Sequence, residues 1–346
     1  KGGASAEITL PVLLRAGLSQ YQGTVYIHAD FRLKKDTLWA KKGFIIAGGE
    51  RIIRDGLPLP LPQPAAGQET VSALWNFARL FGPSLFRVPT ENDGLKTYSH
   101  LRGDPAALFY YENKALYPWL DLDLPHLRCV NGVLLSGENA ARGFENTRLG
   151  SFSSEISGAG DHLVMDVVFD LDPALPELPK VGISARIPAG FGAIEWFGLG
   201  PGESYPDRRA GVFLGNYTHS PADLETPYIV PQENGNRSGV RKITLRHKGV
   251  SPGGLAAGNL PGVITILPET PLNMSVSRYT PENLFAARHT CDLADTSKGE
   301  NGYYILNIDC AQRGVGTAAC GPDTLEQYRV RPGLFKFRLL FSAPAH

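Results

Sequence analysis

Apolar and polar residues alternate in short runs along most of this chain, and that period of two predicts β-strands. Val25-Tyr-Ile-His-Ala-Asp-Phe31 alternates cleanly, as do Leu163–Leu171, Val263–Leu267, Tyr303–Ile308 and Phe335–Phe341. A further strand is predicted over Ile194–Phe197. Helical spacing is confined to two short stretches, Ser72 to Phe81 and Pro281 to His289. In the second, Thr280 is placed to cap and Pro281 suits the first turn. Many short strands with frequent turn signals, among 39 Gly and 27 Pro, predict an all-β fold built as a large antiparallel sandwich. No internal repeat is evident.

A boundary falls at Leu57-Pro-Leu-Pro-Leu-Pro-Gln-Pro64, where four prolines in eight residues favour a stiff, extended connector. Residues 1–56 hold too few strands for a secure core of their own. They are therefore expected to form part of a β-sandwich whose other strands lie upstream or on a partner. Residues 57–70 are read as linker and 71–346 as the main domain.

Composition narrows the function. With 346 residues the chain can bury a sizeable core without staples, and 34 Lys+Arg balance 34 Asp+Glu. That neutrality argues against a nucleic-acid partner and leaves neutral sugars open as ligands. Cys129, Cys291, Cys310 and Cys320 are far apart with no C-x-x-C pair. This opposes a zinc site or a disulfide framework, and predicts free, mostly buried thiols in a reducing, cytoplasmic setting. No apolar run is long enough to cross a membrane, and no signal peptide is visible at the N-terminus. Asn216, Asn236 and Asn273 open glycosylation triplets, a pattern that matters only in a secreted protein.

Four segments concentrate chemistry. The first is Ile194–Arg209, where a strand runs into a loop forced by Gly198, Gly200, Pro201 and Gly202 and presenting Glu203, Tyr205, Asp207 and Arg208. An aromatic ring beside carboxylate and guanidinium groups suits the apolar face and hydroxyl rim of a sugar. The same residues also suit a loop locked by internal hydrogen bonds and an Asp–Arg pair. Its glycines lack the G-x-G-x-x-G spacing of a nucleotide fingerprint. The second is Thr226–Arg237, whose Gln232, Glu233, Asn234, Asn236 and Arg237 can serve sugar hydroxyls, a neighbouring domain or a turn network. The third is Phe86–Gly94. The fourth is Asn307–Pro322, a strand entering a loop in which Gly314, Gly316 and Gly321 permit close backbone approach. Glu91, Glu203, Asp207 and Glu233 are the carboxylates available for a glycosidase pair, but sequence places no two of them at the required separation of about 5 Å for retention. No metalloprotease, serine-hydrolase or P-loop motif occurs.

These segments carry a resemblance. Phe86-Arg-Val-Pro-Thr-Glu-Asn-Asp-Gly94 resembles the signature opening the last domain of family 2 β-galactosidases. Trp196–Arg208 and Thr226–Arg237 are similar to later stretches of that domain. Ser277–Tyr279, Leu306–Asp309, Gly314–Gly316 and Cys320–Pro322 follow in the family's order. More weakly, Phe31–Ala40 resembles the final strands of the preceding immunoglobulin-like domain. The resemblance implies a galactose-mutarotase-like supersandwich over 71–346 and a piece of immunoglobulin-like sandwich over 1–56. It implies that the catalytic glutamates lie on a (β/α)8 barrel outside this chain. Mg2+ and Na+ would belong to that barrel, with no cofactor on this chain and no catalytic residue in it. A barrel-bearing large chain or domain, a galactoside and an oligomer are the implied partners.

The family's Gly-rich loop projects a side chain to the mouth of the sugar pocket. In bacterial relatives this is a Trp stacking on the aglycone, and the matching residue here is Cys320, a much smaller stacking surface. One departure concerns residues 65–85, which leave too little room for the strands expected before Phe86; the first hairpin looks shortened or missing. A stand-alone carbohydrate-binding module and a mutarotase-like enzyme are the alternatives, the latter needing a general acid and base on one sheet face.

Overall fold

The computed structural model describes residues 23–56, 68–96, 114–159, 162–251, 254–256 and 259–344. The Pro-rich stretch 57–64 lies outside them. Spatial clustering divides the chain into two compact units, Lys1–Leu61 and Pro62–His346.

In the first unit, β1 (Val25–Arg32) and β2 (Ile45–Arg54) pair antiparallel. Cross-strand partners share a face. One face carries Tyr26, His28, Ile46, Glu50 and Ile52, and the other carries Phe31, Ala47 and Ile53. Phe31 is 68 % exposed, Trp39 65 % and Ile46 57 %, with Leu38, Phe44, Ile45, Ile52 and Ile53 also open. Trp39 meets Phe44 edge-on at 5.3 Å.

The second unit is an all-β antiparallel sandwich. Its first elements are α1 (Gln68–Ala78), β3 (Gly82–Ser84), α2 (Leu116–Asp121), β4 (Arg128–Val130) and β5 (Val133–Leu135). The long strands β6 (Arg148–Ala159), β7 (His162–Leu171), β8 (Lys180–Pro188), β9 (Ala193–Gly200) and β10 (Phe213–His219) follow. After α3 (Pro221–Leu224) come β11 (Arg237–Val240), β12 (Lys242–Arg246), β13 (Leu255–Ala256), β14 (Leu260–Pro261), β15 (Val263–Pro268) and β16 (Leu272–Ser277). Last are α4 (Pro281–Ala286), β17 (Tyr303–Gln312) and β18 (Leu334–Ser342). One sheet has nine strands in the order β10-β9-β12-β15-β18-β7-β6-β5-β4; the other has five, β11-β16-β17-β8-β3.

Period-two alternation puts Leu163, Met165, Val167 and Phe169 of β7, with Phe337, Leu339 and Phe341 of β18, on the inner face of the larger sheet. They join Val181, Ile183, Met274, Val276, Leu306 and Ile308 from the smaller sheet in one continuous core. Each such side chain contributes about 1.5–3 kcal/mol on burial.

Where extra strands were expected before Phe86, the chain instead folds α1. Ala73, Leu74, Phe77 and Ala78 recur at helical spacing and are buried, and Phe77 packs edge-on against Phe81, Phe191 and Phe341 at 5.6–6.4 Å. Only the three-residue β3, carrying Pro83, then edges the five-stranded sheet, a position where a missing N–H is tolerated. α4 starts at Pro281, and the Thr280 side chain accepts from Asn283 N (3.1 Å), as the sequence predicts; it stops at Ala286. No helix among the described residues is long and apolar enough to cross a membrane.

The cysteines are free, but the expectation of mostly buried thiols is wrong: Cys129, Cys291 and Cys320 are exposed, and Cys310 is partly buried. The exposed three sit in a short edge strand, a 3-10 turn and a loop, where no layer covers them. Two of the glycosylation triplets are interior features. Asn236 is fully buried, and its Nδ2 donates to Asn273 Oδ1 (3.3 Å).

Candidate functional site

The four segments singled out in sequence converge. β9 ends in a turn through a cis Gly200–Pro201 bond. Beyond it Tyr205 and Arg208 exchange backbone hydrogen bonds, Tyr205 N to Arg208 O (3.2 Å) and Arg208 N to Tyr205 O (2.9 Å). This tight turn sends neighbouring side chains in different directions. Glu203 accepts from Gly235 N (2.8 Å), from the Tyr228 hydroxyl and from the Arg208 guanidinium. Asp207 turns to the Gly-rich loop and accepts from Val315 N (2.9 Å) and Gly316 N (2.7 Å). The Asp–Arg pair weighed from the sequence is thus replaced: Arg208 pairs with Glu203 because Asp207 is held by two backbone amides.

Arg237 is buried. Its Nε donates to Pro201 O (3.0 Å) and its Nη1 to Gly235 O (2.8 Å), and the guanidinium lies over the Trp196 ring at 5.4 Å. Burial lowers its pKa to about 10. Asn234 accepts from Thr226 N (3.0 Å) and donates to Gln232 O (2.9 Å), closing the Asn-Gly turn. Glu233 is partly buried and points the other way, accepting from the Tyr205 hydroxyl (3.4 Å). Burial pushes its carboxyl up to about 7, opposed by the positive charges of Arg87 and Lys180 and aided by Asp309.

Beneath these loops lies a charge network that sequence reasoning did not assemble. Arg87 Nη2 donates to both oxygens of Asp93 (2.9 Å each) and its guanidinium also reaches the carbonyls of Arg313 and Gly314. Arg313 Nη1 donates to Asp93 Oδ1 (3.0 Å), and its Nη2 to both oxygens of Asp323 (2.9 Å each). Asp93 accepts further from Thr90 N and Thr90 Oγ1 (2.9 Å each). Arg87, Asp93 and Arg313 are almost wholly buried, so Asp93 and the two guanidiniums neutralise one another where water cannot, while the half-open Asp323 balances the second cation from the edge. Phe86–Gly94 and Asn307–Pro322 both stood out in sequence, and their joint was hidden only by the distance between them along the chain. A second buried pair, Lys180 Nζ to Asp309 Oδ1 at 3.0 Å, ties β8 to β17.

On this base stands the loop 313–324. Asn92 Nδ2 donates to Gly316 O (2.9 Å), and Ala319 N donates to Asn92 Oδ1 (2.9 Å). Lys114 Nζ donates to Ala318 O (2.8 Å). Gly314 lies so near Asp207 that a Cβ there would meet Oδ2 at 2.6 Å, and Gly316 has φ +60°, the left-handed region that favours glycine. Both glycines permit the close approach. Ala319, Cys320 and Gly321 are left exposed at the tip, with Cys320 N donating to Thr317 O (3.1 Å). The loop is held from three sides and offers its tip to solvent.

Glu203 and Asp207 are committed as acceptors, and Glu91 is exposed, its backbone N donating to Gln232 Oε1 (3.4 Å). Among the described residues no group of three or more His, Cys, Asp or Glu could hold a metal ion.

An antiparallel β-sandwich whose recognisable motifs meet under one projecting Gly-rich loop defines the class of the protein. Its sequence matches the family described as beta galactosidase small chain over residues 65–341, and the chain belongs to that family. It is 26 % identical to a β-galactosidase of Arthrobacter sp. (strain B7), in an alignment covering 96 % of this chain and 34 % of that protein. It is 25 % identical to one of Halalkalibacterium halodurans, covering 90 % and 31 %. To the β-galactosidase of Kluyveromyces lactis it is 33 % identical over 47 % of this chain and 14 % of that protein. The chain spans about a third of the length of the first two of these curated relatives.

Proposed function

We propose that this chain is the C-terminal or small-subunit portion of a retaining β-galactosidase that hydrolyses terminal β-D-galactosides such as lactose. In this reading the two catalytic glutamates act from a (β/α)8 barrel on another chain or domain, and this chain completes the rim of the active site on the aglycone side. The observation that carries it is the loop 313–324, whose tip at Cys320 projects while Asp207, Asn92 and Lys114 fix its backbone. A rim element has to be preorganised to position a sugar, because misplacement by about 1 Å can cost roughly 100-fold in rate. The apolar β1–β2 hairpin supports a partner as well, since apolar residues on both faces ask for cover on both. With a thiol where an indole would stack, Cys320 makes a wider and weaker aglycone site.

The test is hydrolysis of a chromogenic β-galactoside by the chain alone and mixed with a family 2 protein that ends after its barrel. Turnover only in the mixture supports the proposal. Turnover by the chain alone overturns it and directs attention to Glu91, Glu203, Asp207 and Glu233.

A further inference from the structure

A cavity of about 240 Å3 opens between α3, α4 and the segment leading to Arg237. Its walls are amphipathic. Tyr228 and Tyr279 supply aromatic surface, and Pro227, Pro231, Leu284 and Leu293 add apolar area. Gln232 and Asn234 bring carboxamides. The hydroxyls of Thr226, Thr290 and Tyr279 line it without a hydrogen-bond partner among the described residues. The only ionic groups on the wall among the described residues, Glu225 and Arg278, cancel each other: Arg278 Nη2 donates to Glu225 Oε2 at 2.6 Å and its Nε to Oε2 at 3.1 Å. The lining therefore carries no net charge.

The walls are also fixed before any ligand arrives. Arg278 Nη1 is held by Asp295 (3.3 Å), and Ser277 Oγ both donates to Tyr279 O (3.1 Å) and accepts from Tyr279 N (3.0 Å). The Ser220 side chain caps α3 by accepting from Asp223 N, Thr280 caps α4, and Lys96 Nζ donates to Leu284 O (2.5 Å) and Ala287 O (2.7 Å). Tyr228 is tethered through its hydroxyl to Glu203 and Arg208.

We propose that this cavity is a binding site for one neutral pyranose ring. A pyranose is uncharged and rigid, with apolar C–H faces and a rim of hydroxyls that both donate and accept. It matches a neutral cavity with aromatic and proline walls and free hydroxyls, and a cavity this small accepts one ring rather than an extended chain. A phosphorylated or carboxylated sugar is disfavoured, since Arg278 is already neutralised by Glu225 and Asp295. Every lining residue lies in this chain, so binding can be read on it without a barrel-bearing partner.

The experiment is a titration of the 346-residue chain with methyl β-D-galactopyranoside, methyl β-D-glucopyranoside and galacturonate, read by isothermal calorimetry and saturation-transfer NMR. Saturable binding of at least one neutral glycoside is expected, with Kd of about 1 mM, the range for a ligand of this size. It should weaken at least about tenfold in Tyr279→Ala, which loses the ring, and several-fold in Thr290→Val, an exposed change that keeps shape but removes the hydroxyl. Should Tyr279→Ala fail to fold, Thr290→Val carries the test alone. Binding unchanged in folded variants, preference for galacturonate, or no saturable binding of either neutral glycoside would overturn the proposal. Each result is read separately from complementation of β-galactosidase activity.

Discussion

Glu233 holds its proton more tightly in the fold than a free glutamate does, because burial disfavours the anion more than Arg87 and Lys180 favour it. The sign follows from proton linkage. Between the ordinary value of 4.5 and the shifted value of about 7 the folded state binds more protons than the unfolded one. Stability contributed by this group therefore falls as pH rises through that window and is flat above it. Glu233→Gln, which keeps shape without ionising, should stabilise the protein above pH 7 by on the order of 2–3 kcal/mol, with the difference vanishing near pH 4.5. Denaturant unfolding of both proteins at several pH values checks this; a constant difference across the range would contradict the assignment. Arg313 sits at the other extreme, wholly buried between Asp93 and Asp323. Arg313→Met should cost about 3–5 kcal/mol, since it takes from the buried Asp93 one of its two cations and breaks both bonds to Asp323, although Arg87 still holds Asp93. Exposed pairs such as Arg331–Glu326 should cost under about 1 kcal/mol in the same assay.

Among the elements, the loop 313–324 depends on a carboxylate far away in sequence. Asp207→Ala removes the acceptor of both Val315 N and Gly316 N. These two amides should lose hydrogen-exchange protection, at about 1–3 kcal/mol for each one left unsatisfied, while the amides of β7 and β18 remain protected. Complementing activity should fall with the loop if Cys320 belongs to the rim. The loop also marks what sequence could and could not reveal. Strands such as β7 and β18 were legible because one buried face writes a period of two into the chain. α4 was legible from Thr280 and Pro281, a local cap. α1 was legible as a helix, though not its role in place of a sheet-edge hairpin, which depends on what Phe77 meets across the core. The chemistry-bearing loops could be named one by one. Their joints could not, because Arg87–Arg313, Asp207–Gly316 and Lys180–Asp309 are fixed by topology and not by spacing. The same limit led to a local Asp207–Arg208 pair being weighed where Asp207 has distant partners and Arg208 reaches back to Glu203.

At the scale of the whole molecule, a sandwich with a continuous interior contrasts with a hairpin that has none among the described residues. A two-stranded ribbon is at best marginally stable in water, and antiparallel ribbons with one wet side carry apolar residues on the other only. β1 and β2 carry them on both: Ile46 and Ile52 on one face, Phe31 and Ile53 on the other. Such a pattern is that of an inner strand pair, so covering it should be strongly favourable at about 25 cal/mol per Å2 of apolar surface. If the cover is supplied by a barrel-bearing β-galactosidase chain, Ile46→Lys should lower complementation at least about tenfold, because a charge would have to be buried without a partner. It should leave the melting temperature of the sandwich unchanged, since Ile46 contributes nothing to that core. Trp39 supplies a second readout. Trp119 and Trp196 are already buried, so iodide quenching in the isolated chain should be dominated by Trp39 with a smaller share from Trp75, and Trp39→Phe should remove most of it. Adding the partner should protect Trp39 and blue-shift its emission. Quenching that is unaffected by a partner which does restore activity would place the contact elsewhere on the sandwich and leave the hairpin to another role.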